Sequence, residues 1–407
     1  MLDLDFVRAQ FPALDTPWAL MDNAGGSAPC RQVIDRLCAH MERLPVQLGA
    51  SYGLSVEARA AVEAGRHAAA TLVGAQPDEI VLGASSTVLI KQLALSLRAS
   101  WHAGDEVIVT NLDHEANVGA WRALEQTGIV LREWRFRPDT LGLHVEDLEP
   151  LLSARTRLVA FTHCSNVVGS IVDVAAIAAR VRAAGALTCV DGVAFAPHRR
   201  VDVQRLGVDF YLASLYKVYG PHLGLMFGRR ELLRDARGPN HFFVTDDSTP
   251  TKFEPGNVNF ELAASVVGIL DYLEALGAQH GVSGGLDLDA TFARIAEHEQ
   301  ELVHPLLTFL DEHPSVRLIG SAAPDPDTRV PTVSFTVEGR RSSELPPLLD
   351  ERSLAARFGH FYAYRLIRDL DLLERDGVVR VSLVHYNSPQ EVARLIEALG
   401  ELLPLPA

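Results

Sequence analysis

One lysine of the chain stands where a reactive amine would be useful. Lys217 lies in the run ASLYKVYGPHLG, after an apolar stretch and before a Gly-Pro turn, and the chain has only two other lysines. A lysine at the end of a buried strand is partly removed from water. This lowers its pKa and leaves the amine free to condense with an aldehyde. Taken alone, the position is more typical of an ordinary surface lysine at a strand end.

A carboxylate precedes this lysine by one strand–connection–strand unit. Asp191 ends the apolar run ALTCVD (186–191), so neighbouring strands would point Asp191 and Lys217 into one crevice. Pyridoxal phosphate (PLP) needs such a pair, because the amine binds its aldehyde and the carboxylate keeps its pyridine nitrogen protonated. Asp191 by itself would be interpreted as a turn aspartate. The two residues together predict a PLP site.

A phosphate group would need hydroxyls and free backbone N–H groups at a helix start. The segment GASSTVLIKQLALSL (83–97) places Ser86 and Thr87 between a strand and an amphipathic helix, where an anion can bind. Ser214 and Tyr216 flank the lysine and could complete the phosphate site. An ordinary helix N-cap explains Ser86 and Thr87 equally well.

The elements that must position these residues alternate along the chain. Short apolar runs are separated by alanine-rich helical stretches, which predicts a mostly parallel α/β sheet covered by helices, with ligands at the carboxyl ends of its strands. The runs are 79–83, 105–112, 156–164, 186–192, 208–214 and 223–228. The pattern changes after about residue 270. We therefore expect an N-terminal arm and large domain over 1–270, and a small α+β domain over 271–407.

Composition excludes several classes of protein. The 407 residues carry 52 acidic and 37 basic side chains, a formal net charge of −15. Such a chain repels nucleic acid and anionic lipid. The four cysteines are scattered without a C-x-x-C pair, so neither a disulfide framework nor a metal site is expected. The N-terminus lacks the apolar core of a signal peptide and no apolar run is long enough to span a membrane, so we expect a cytoplasmic protein.

The order of the motifs resembles a known family. The chain is similar to the class V aminotransferases of PLP fold type I, specifically to the cysteine-desulfurase-like subgroup. The matching segments are 21–29, 104–117, 162–174, 190–198, 209–224, 253–259, 357–363 and 378–387. The resemblance implies a mostly parallel, seven-stranded sheet between helices in the large domain, a smaller C-terminal α+β domain, and a homodimer with composite active sites.

The resemblance also implies roles for individual residues. Lys217 matches the lysine that binds PLP covalently, Asp191 the partner of the pyridine nitrogen, and His114 the imidazole that stacks on the ring. Asn166 matches the asparagine beside the cofactor and the substrate carboxylate, and Arg357 the arginine that binds that carboxylate. The residues expected at the phosphate are Ser86, Thr87, Ser214, Tyr216 and, reaching the other subunit's site, Asn257.

Two positions depart from the family pattern. Desulfurases carry a cysteine where this chain has Tyr362, and a phenol cannot hold the persulfide that their mechanism needs. Ala194 stands where relatives place a glutamine on the ring hydroxyl, and the sequence does not tell what replaces it. Tyr362 and His360 are candidates for substrate contacts or acid–base groups, although the aromatic residues of this loop could also simply fill space and shield the site.

These residues predict a PLP-dependent enzyme acting on a small L-amino acid. The leading hypothesis is a lyase-type reaction, in which loss of the α-proton is followed by elimination or exchange of a β-substituent, with a C–S bond as one candidate. Transamination and epimerisation need no further nucleophile and stay open, as does decarboxylation. A different class of function, an inert PLP-binding partner protein, is an alternative that the missing cysteine and Ala194 suggest.

Overall fold

The structure, a computed structural model, describes residues 1–403 and places thirteen strands there in three sheets. The strands are β1 Ala19–Leu20, β2 Ile80–Gly83, β3 Glu106–Thr110, β4 Val130–Trp134, β5 Thr156–Thr162, β6 Leu187–Asp191, β7 Phe210–Ser214, β8 Gly224–Gly228, β9 Val316–Ile319, β10 Thr332–Val337, β11 Leu354–Ala355, β12 Arg357–Gly359 and β13 Val378–Ser382.

Fifteen α-helices connect and cover these strands within the same residues. They are α1 Leu4–Ala9, α2 Arg31–Arg43, α3 Gly53–Val73, α4 Ser86–Arg98, α5 Ala116–Arg122, α6 Val145–Leu148, α7 Val174–Ala183, α8 Val203–Leu206, α9 Arg230–Asp235, α10 Phe260–Ser265, α11 Val267–Gln279, α12 Leu288–Glu312, α13 Pro346–Asp350, α14 Tyr364–Asp369 and α15 Pro389–Leu402. In the described part of the chain no helix has the length and the apolar character that crossing a bilayer requires.

The large sheet confirms the predicted α/β fold. Its seven strands lie in the order β2-β8-β7-β6-β5-β3-β4, and β8 alone runs against its neighbours. Strands β3, β7 and β8 are buried at every residue, as expected for a sheet with helices on both faces. The six apolar runs all form strands. The seventh strand, β4, alternates between exposed and more buried residues because it is an edge strand.

A second, smaller sheet is antiparallel and has the strand order β12-β13-β10-β9. Helices α12 and α15 pack their apolar faces on it, with Leu306, Phe335 and Leu395 in one buried cluster. The predicted division near residue 270 separates the strands of the two larger sheets. Strand β1 nevertheless pairs with β11, so part of the N-terminal arm lies with the C-terminal elements. The domain bounds stay a prediction.

The parallel strands bring several chain segments to one edge of the large sheet. Strands β5, β6 and β7 are neighbours, and Thr162 pairs with Asp191 at their carboxyl ends. Helix α4 begins beside them, with the Ser85 side chain accepting a hydrogen bond from the N–H of Val88 as its N-cap. This edge is where ligands bind in sheets of this kind.

Candidate active site

The carboxyl edge of the large sheet opens into a pocket that collects eight of the predicted site residues. Including the part of its mouth that is open to solvent, its empty volume is about 510 Å³. The predicted residues in its lining are Ser86, Thr87, His114, Asn166, Asp191, Ser214, Tyr216 and Lys217. Four other predicted residues are not among its lining: Asn257, Arg357, His360 and Tyr362.

Lys217 ends a short 3₁₀ turn that directly follows β7. Its side chain is buried, and the pKa of its ammonium group is lowered to about 8. Burial is the main cause and the charge of Arg380 contributes, whereas Asp191 and Asp22 act in the opposite direction. A sizeable fraction of the amine is therefore neutral near physiological pH. A neutral amine is what reaction with an aldehyde or removal of a proton requires.

Asp191 occupies the last position of β6 and is buried. Its Oδ1 accepts a hydrogen bond from the N–H of Val193 at 3.0 Å. Burial raises the pKa of this carboxyl, and the charge of Lys217 lowers it. No salt bridge to Asp191 occurs among residues 1–403, so a protonated ring nitrogen in the pocket would supply a partner for the carboxylate.

His114 lies in the turn between β3 and α5. Burial lowers the pKa of its imidazole to about 4, and the charges of Lys217 and Arg380 add to the effect. Its Nδ1 lies 3.1 Å from the N–H of Ala116 and accepts that hydrogen, which leaves the proton of the neutral ring on Nε2. A neutral, flat ring at the pocket wall can stack on a pyridine ring.

Hydroxyl groups and the start of α4 converge at one end of the pocket. Ser86 donates to the carbonyl of Ala213 at 2.9 Å, and its Oγ lies 2.7 Å from the Oγ of Ser214. A Cβ on Gly224 would come within 2.5 Å of the Ser85 carbonyl carbon, so the close approach of β8 to this helix start needs a glycine. Hydroxyls beside a helix N-terminus suit a phosphate. Tyr216 borders this end and stacks on His222, with ring centroids 4.5 Å apart.

Two arginines of the small sheet bind Asp22 outside the pocket lining. Arg357, the predicted carboxylate ligand, is 58% exposed and lies 3.2 Å from Asp22. Directly opposite it across β12 and β13 is Arg380, which is 2% exposed and donates to the other oxygen of Asp22 at 2.8 Å. Arg380 lowers the pKa of both Lys217 and His114. Arg380 was not predicted as a site residue from the sequence. An arginine inside the apolar run VVRVSLV is nevertheless unusual and could have indicated it.

The loop that carries Tyr362 is attached to both domains. The side-chain amide of Asn166 donates to the carbonyl of Phe361 at 2.9 Å, and the N–H of Glu115 donates to the carbonyl of Tyr362 at 2.7 Å. The Phe361 ring packs under the Arg380 guanidinium, 3.7 Å from its centroid.

The side chain of Tyr362 is 65% exposed. Its ring lies 5.2 Å from the ring of His114, so Tyr362 overhangs the pocket although it is not part of its wall. His360 is exposed at the surface beside it and accepts from the N–H of Tyr362 at 3.1 Å through Nδ1.

The cysteines are placed unfavourably for persulfide chemistry. Burial raises the pKa of Cys30 and Cys164 to about 12 and that of Cys189 well above its usual value. Cys164 lines the pocket, yet its thiol lies 3.4 Å from the carbonyl of Gly169 and stays protonated. Cys38 is exposed on α2, away from the pocket lining.

Ala194 and Asn257, two residues singled out in the sequence, differ in their position relative to the pocket. Ala194 lines the pocket and offers no side-chain donor. Asn257 is exposed and has a positive φ of 68° in the turn after Glu254. Arg66 holds that turn by a two-pronged hydrogen bond to Glu254, at 2.6 and 2.8 Å. Asn257 is therefore held in a hydrogen-bonded turn at the surface, outside the lining of the pocket of its own chain.

Comparison with known proteins gives relatives along the whole chain. Residues 19–395 match the family model of class V aminotransferases. The aminotransferase-like protein FGM3 of Gibberella zeae is 41% identical over 98% of each chain. The cysteine desulfurase-like protein ustD of Aspergillus flavus is 36% identical over 99% of this chain and 91% of its own length. The structure of the Escherichia coli cysteine desulfurase CsdA is similar with a TM-score of 0.84 at 27% identity, over 99% of this chain and 100% of CsdA.

Proposed function

The chain belongs to the class V aminotransferase family, and we propose that it is a PLP-dependent enzyme that removes the α-proton of a small L-amino acid and then eliminates or exchanges its β-substituent. The observation that carries the proposal is a buried amine, Lys217, that shares a pocket with Asp191, His114 and a hydroxyl-lined helix start. No thiol with a normal or lowered pKa lies in that pocket.

The pocket fits PLP at three separate points. Asp191 is a buried acid with which a ring nitrogen could pair. Lys217 could bind the aldehyde, and Ser86, Ser214 and the N-terminus of α4 could bind the phosphate. When bound, PLP supplies an aldehyde for an amine and accepts the electron pair that a reaction leaves on the α-carbon.

The chain's own residues would bind and orient the amino acid and move its proton. Arg357, which lies opposite Arg380 across β12 and β13, would bind the substrate carboxylate through a fork-shaped contact. Lys217 has a pKa near 8 and is suited to take the α-proton and to return one. In an elimination the α-C–H bond breaks first, and the β-substituent then leaves with its bonding pair. Hydrolysis of the released product by water gives pyruvate and ammonia.

The absence of an activated thiol separates this proposal from desulfuration. A desulfurase passes sulfur to a thiolate, and Tyr362 occupies the position of that cysteine. Cys164, the cysteine in the pocket lining, has its pKa raised to about 12 by burial. Elimination, transamination and epimerisation need no such nucleophile.

The test is incubation of the PLP-loaded protein with cysteine, cystine, S-substituted cysteines and aspartate, measuring pyruvate, alanine and sulfide. We expect pyruvate with at least one substrate that has a leaving group on its β-carbon. Lys217→Ala should lower the rate at least about 100-fold, because it removes the acid–base group. Lys91 is an exposed lysine on α4, so Lys91→Ala is the matched control and should retain activity.

The other outcomes identify the alternatives. Conversion of the cofactor to its amine form with keto-acid dependence would make the protein a transaminase. Solvent deuterium at the α-carbon with inverted configuration would make it an epimerase. If no amino acid changes the absorbance of the bound cofactor, the protein is an inert PLP-binding partner and the proposal fails.

We also propose a homodimer in which Asn257 reaches the phosphate site of the partner subunit. Its exposed, fixed position supports this arrangement. A cytoplasmic location stays a prediction from the sequence.

A further inference from the structure

A buried chain of side-chain hydrogen bonds lies directly behind the Lys217 turn. The Tyr219 hydroxyl contacts both the carbonyl of Pro197 and Nδ1 of His385, the latter at 3.1 Å. The Nε2 atom of His385 in turn contacts the hydroxyl of Tyr272. Tyr219, His385 and Tyr272 are all fully buried, and the Phe11 ring packs against each of them edge-on.

The carbonyl of Pro197 fixes the direction of every hydrogen bond between these side chains. A carbonyl can only accept, so the Tyr219 hydroxyl donates to Pro197. The same hydroxyl must then accept from His385, which places the imidazole proton on Nδ1. The unprotonated Nε2 therefore accepts from Tyr272. A neutral histidine offers one donor and one acceptor, and here both are used.

Tyr219 itself is held in an unusual backbone conformation. It follows Lys217 by two residues and has a φ of 59°, which residues other than glycine rarely adopt. Its N–H donates to Oγ of Ser27 at 3.1 Å, and its carbonyl accepts from the N–H of Cys30 at 2.9 Å. The same Ser27 hydroxyl donates to the Lys217 carbonyl at 2.9 Å. A strained residue of this kind persists where its surroundings fix it from several sides.

Two adjacent members of the hydrogen-bond network, Tyr219 and Pro197, belong to the two segments that form the active site. Tyr219 lies two residues after Lys217. Pro197 lies in the turn that follows Asp191, and Val193 and Ala194 of the same turn line the pocket. We propose that Tyr219 and His385 are positioning residues that hold the Lys217 turn against the Asp191 turn and so fix the amine relative to the cofactor ring. This inference rests on the proposed function only in taking Lys217 and Asp191 as the residues that hold PLP.

The test compares holoenzyme variants by the pH titration of the absorbance band of the bound cofactor, which reports on Lys217 whichever reaction the enzyme catalyses. Tyr219→Phe removes the link to Pro197 and to His385. We expect the titration midpoint to move by about half a pH unit or more, and kcat to fall about 10-fold with KM changed less than about twofold, because a small misplacement of a reacting group costs rate rather than binding.

A pair of changes at His385 tests the direction of the hydrogen bonds. His385→Gln keeps one donor and one acceptor, whereas His385→Leu keeps apolar volume alone. The glutamine variant should retain a midpoint close to that of the unmodified protein, and the leucine variant should behave like Tyr219→Phe.

Tyr386→Phe is the matched control for loss of a buried hydroxyl. Tyr386 is also fully buried and also packs on Phe11, but its hydroxyl contacts Asn23 and Ala28 instead of the Tyr219 chain. It should lower thermal stability without moving the absorbance midpoint. The proposal is overturned if Tyr219→Phe titrates like this control, or if the glutamine and leucine variants at His385 shift the midpoint equally. Neither result depends on whether elimination is the reaction.

Discussion

At the scale of single residues, burial sets the protonation of the groups around the pocket. Burial lowers the pKa of Lys217 to about 8 and that of His114 to about 4, and it raises the pKa of the three buried thiols and of Asp191. Each group is thereby pushed towards its neutral form, because an apolar surrounding disfavours charge. Lys217 can therefore react as an amine and His114 can stack as a neutral ring, whereas the three buried cysteines lose nucleophilic character.

This account predicts the reactivity of the thiols. Treatment of the native protein with iodoacetamide at neutral pH should modify Cys38 and leave Cys30, Cys164 and Cys189 unmodified, since the thiolate is the reacting form. Activity on the best substrate should be retained after labelling. Peptide mass spectrometry locates the label, and urea-unfolded protein serves as the control in which all four should react. Fast labelling of Cys164 in the native protein would contradict the proposed absence of a nucleophilic thiol.

At the scale of elements, the turn between β3 and α5 is built around a buried carboxyl. Asp113 accepts from Asn117 at 2.7 Å and from the N–H of Thr162 at 3.2 Å, and it also contacts the hydroxyl of Thr110. These contacts tie the turn that carries His114 to the end of β5, next to Asp191. Burial raises the pKa of Asp113 to about 8 despite these hydrogen bonds, and the nearby charge of Asp191 adds to the rise.

The raised pKa of Asp113 predicts a pH dependence of stability. The folded chain keeps a proton that the unfolded chain releases near its ordinary pKa of 3.8, so the free energy of unfolding should fall as pH rises from about 4 to about 8. For one proton the slope is at most about 1.4 kcal/mol per pH unit. Asp113→Asn cannot titrate, and its free energy of unfolding should change less over this window.

Urea unfolding at several pH values, with the cofactor state held the same, measures the difference. Asp173→Asn, at the exposed N-cap of α7, controls for the chemistry of the substitution. If the stability curves of Asp113→Asn and of the unmodified protein run parallel between about pH 5 and pH 8, Asp113 is not the titrating group.

At the scale of the whole molecule, the site is assembled from distant parts of the chain. The large sheet supplies Lys217, Asp191 and His114, whereas the small sheet supplies Arg380 and the loop with Phe361 and Tyr362. The hydrogen bond from Asn166 to Phe361 joins the two. The turn with Asn257 is exposed and lies outside the lining of this pocket, which fits a contribution to a second subunit.

Subunit mixing tests the proposed composite site. Lys217→Ala and Asn257→Asp should each be nearly inactive alone, the second because a carboxylate would repel the phosphate. In a mixed dimer one of the two sites would have both intact residues, so isolated mixed dimers should have up to about half of the activity, and the unseparated co-expressed protein about a quarter. Size-exclusion chromatography with light scattering checks the dimer itself. Absence of any restored activity in isolated mixed dimers would place Asn257 outside the partner's site.

Six of the seven strands of the large sheet could be predicted from the sequence, because apolar runs buried on both faces have a clear pattern. Asp191, Ser214 and Lys217 could be predicted with them, since they end or directly follow such runs in the sequence. The edge strand β4 was not predicted, because two of its five residues are exposed and two more are half-buried.

The contacts that other parts of the chain make near the carboxyl edge of the large sheet follow only from the tertiary structure. Arg380 and its shared partner Asp22 are far apart in the chain, as are Tyr219, Pro197 and His385. No local pattern encodes such contacts, since they depend on how two sheets pack. Burial of the lysine and the thiols, and with it their pKa values, likewise exists only once the layers have come together.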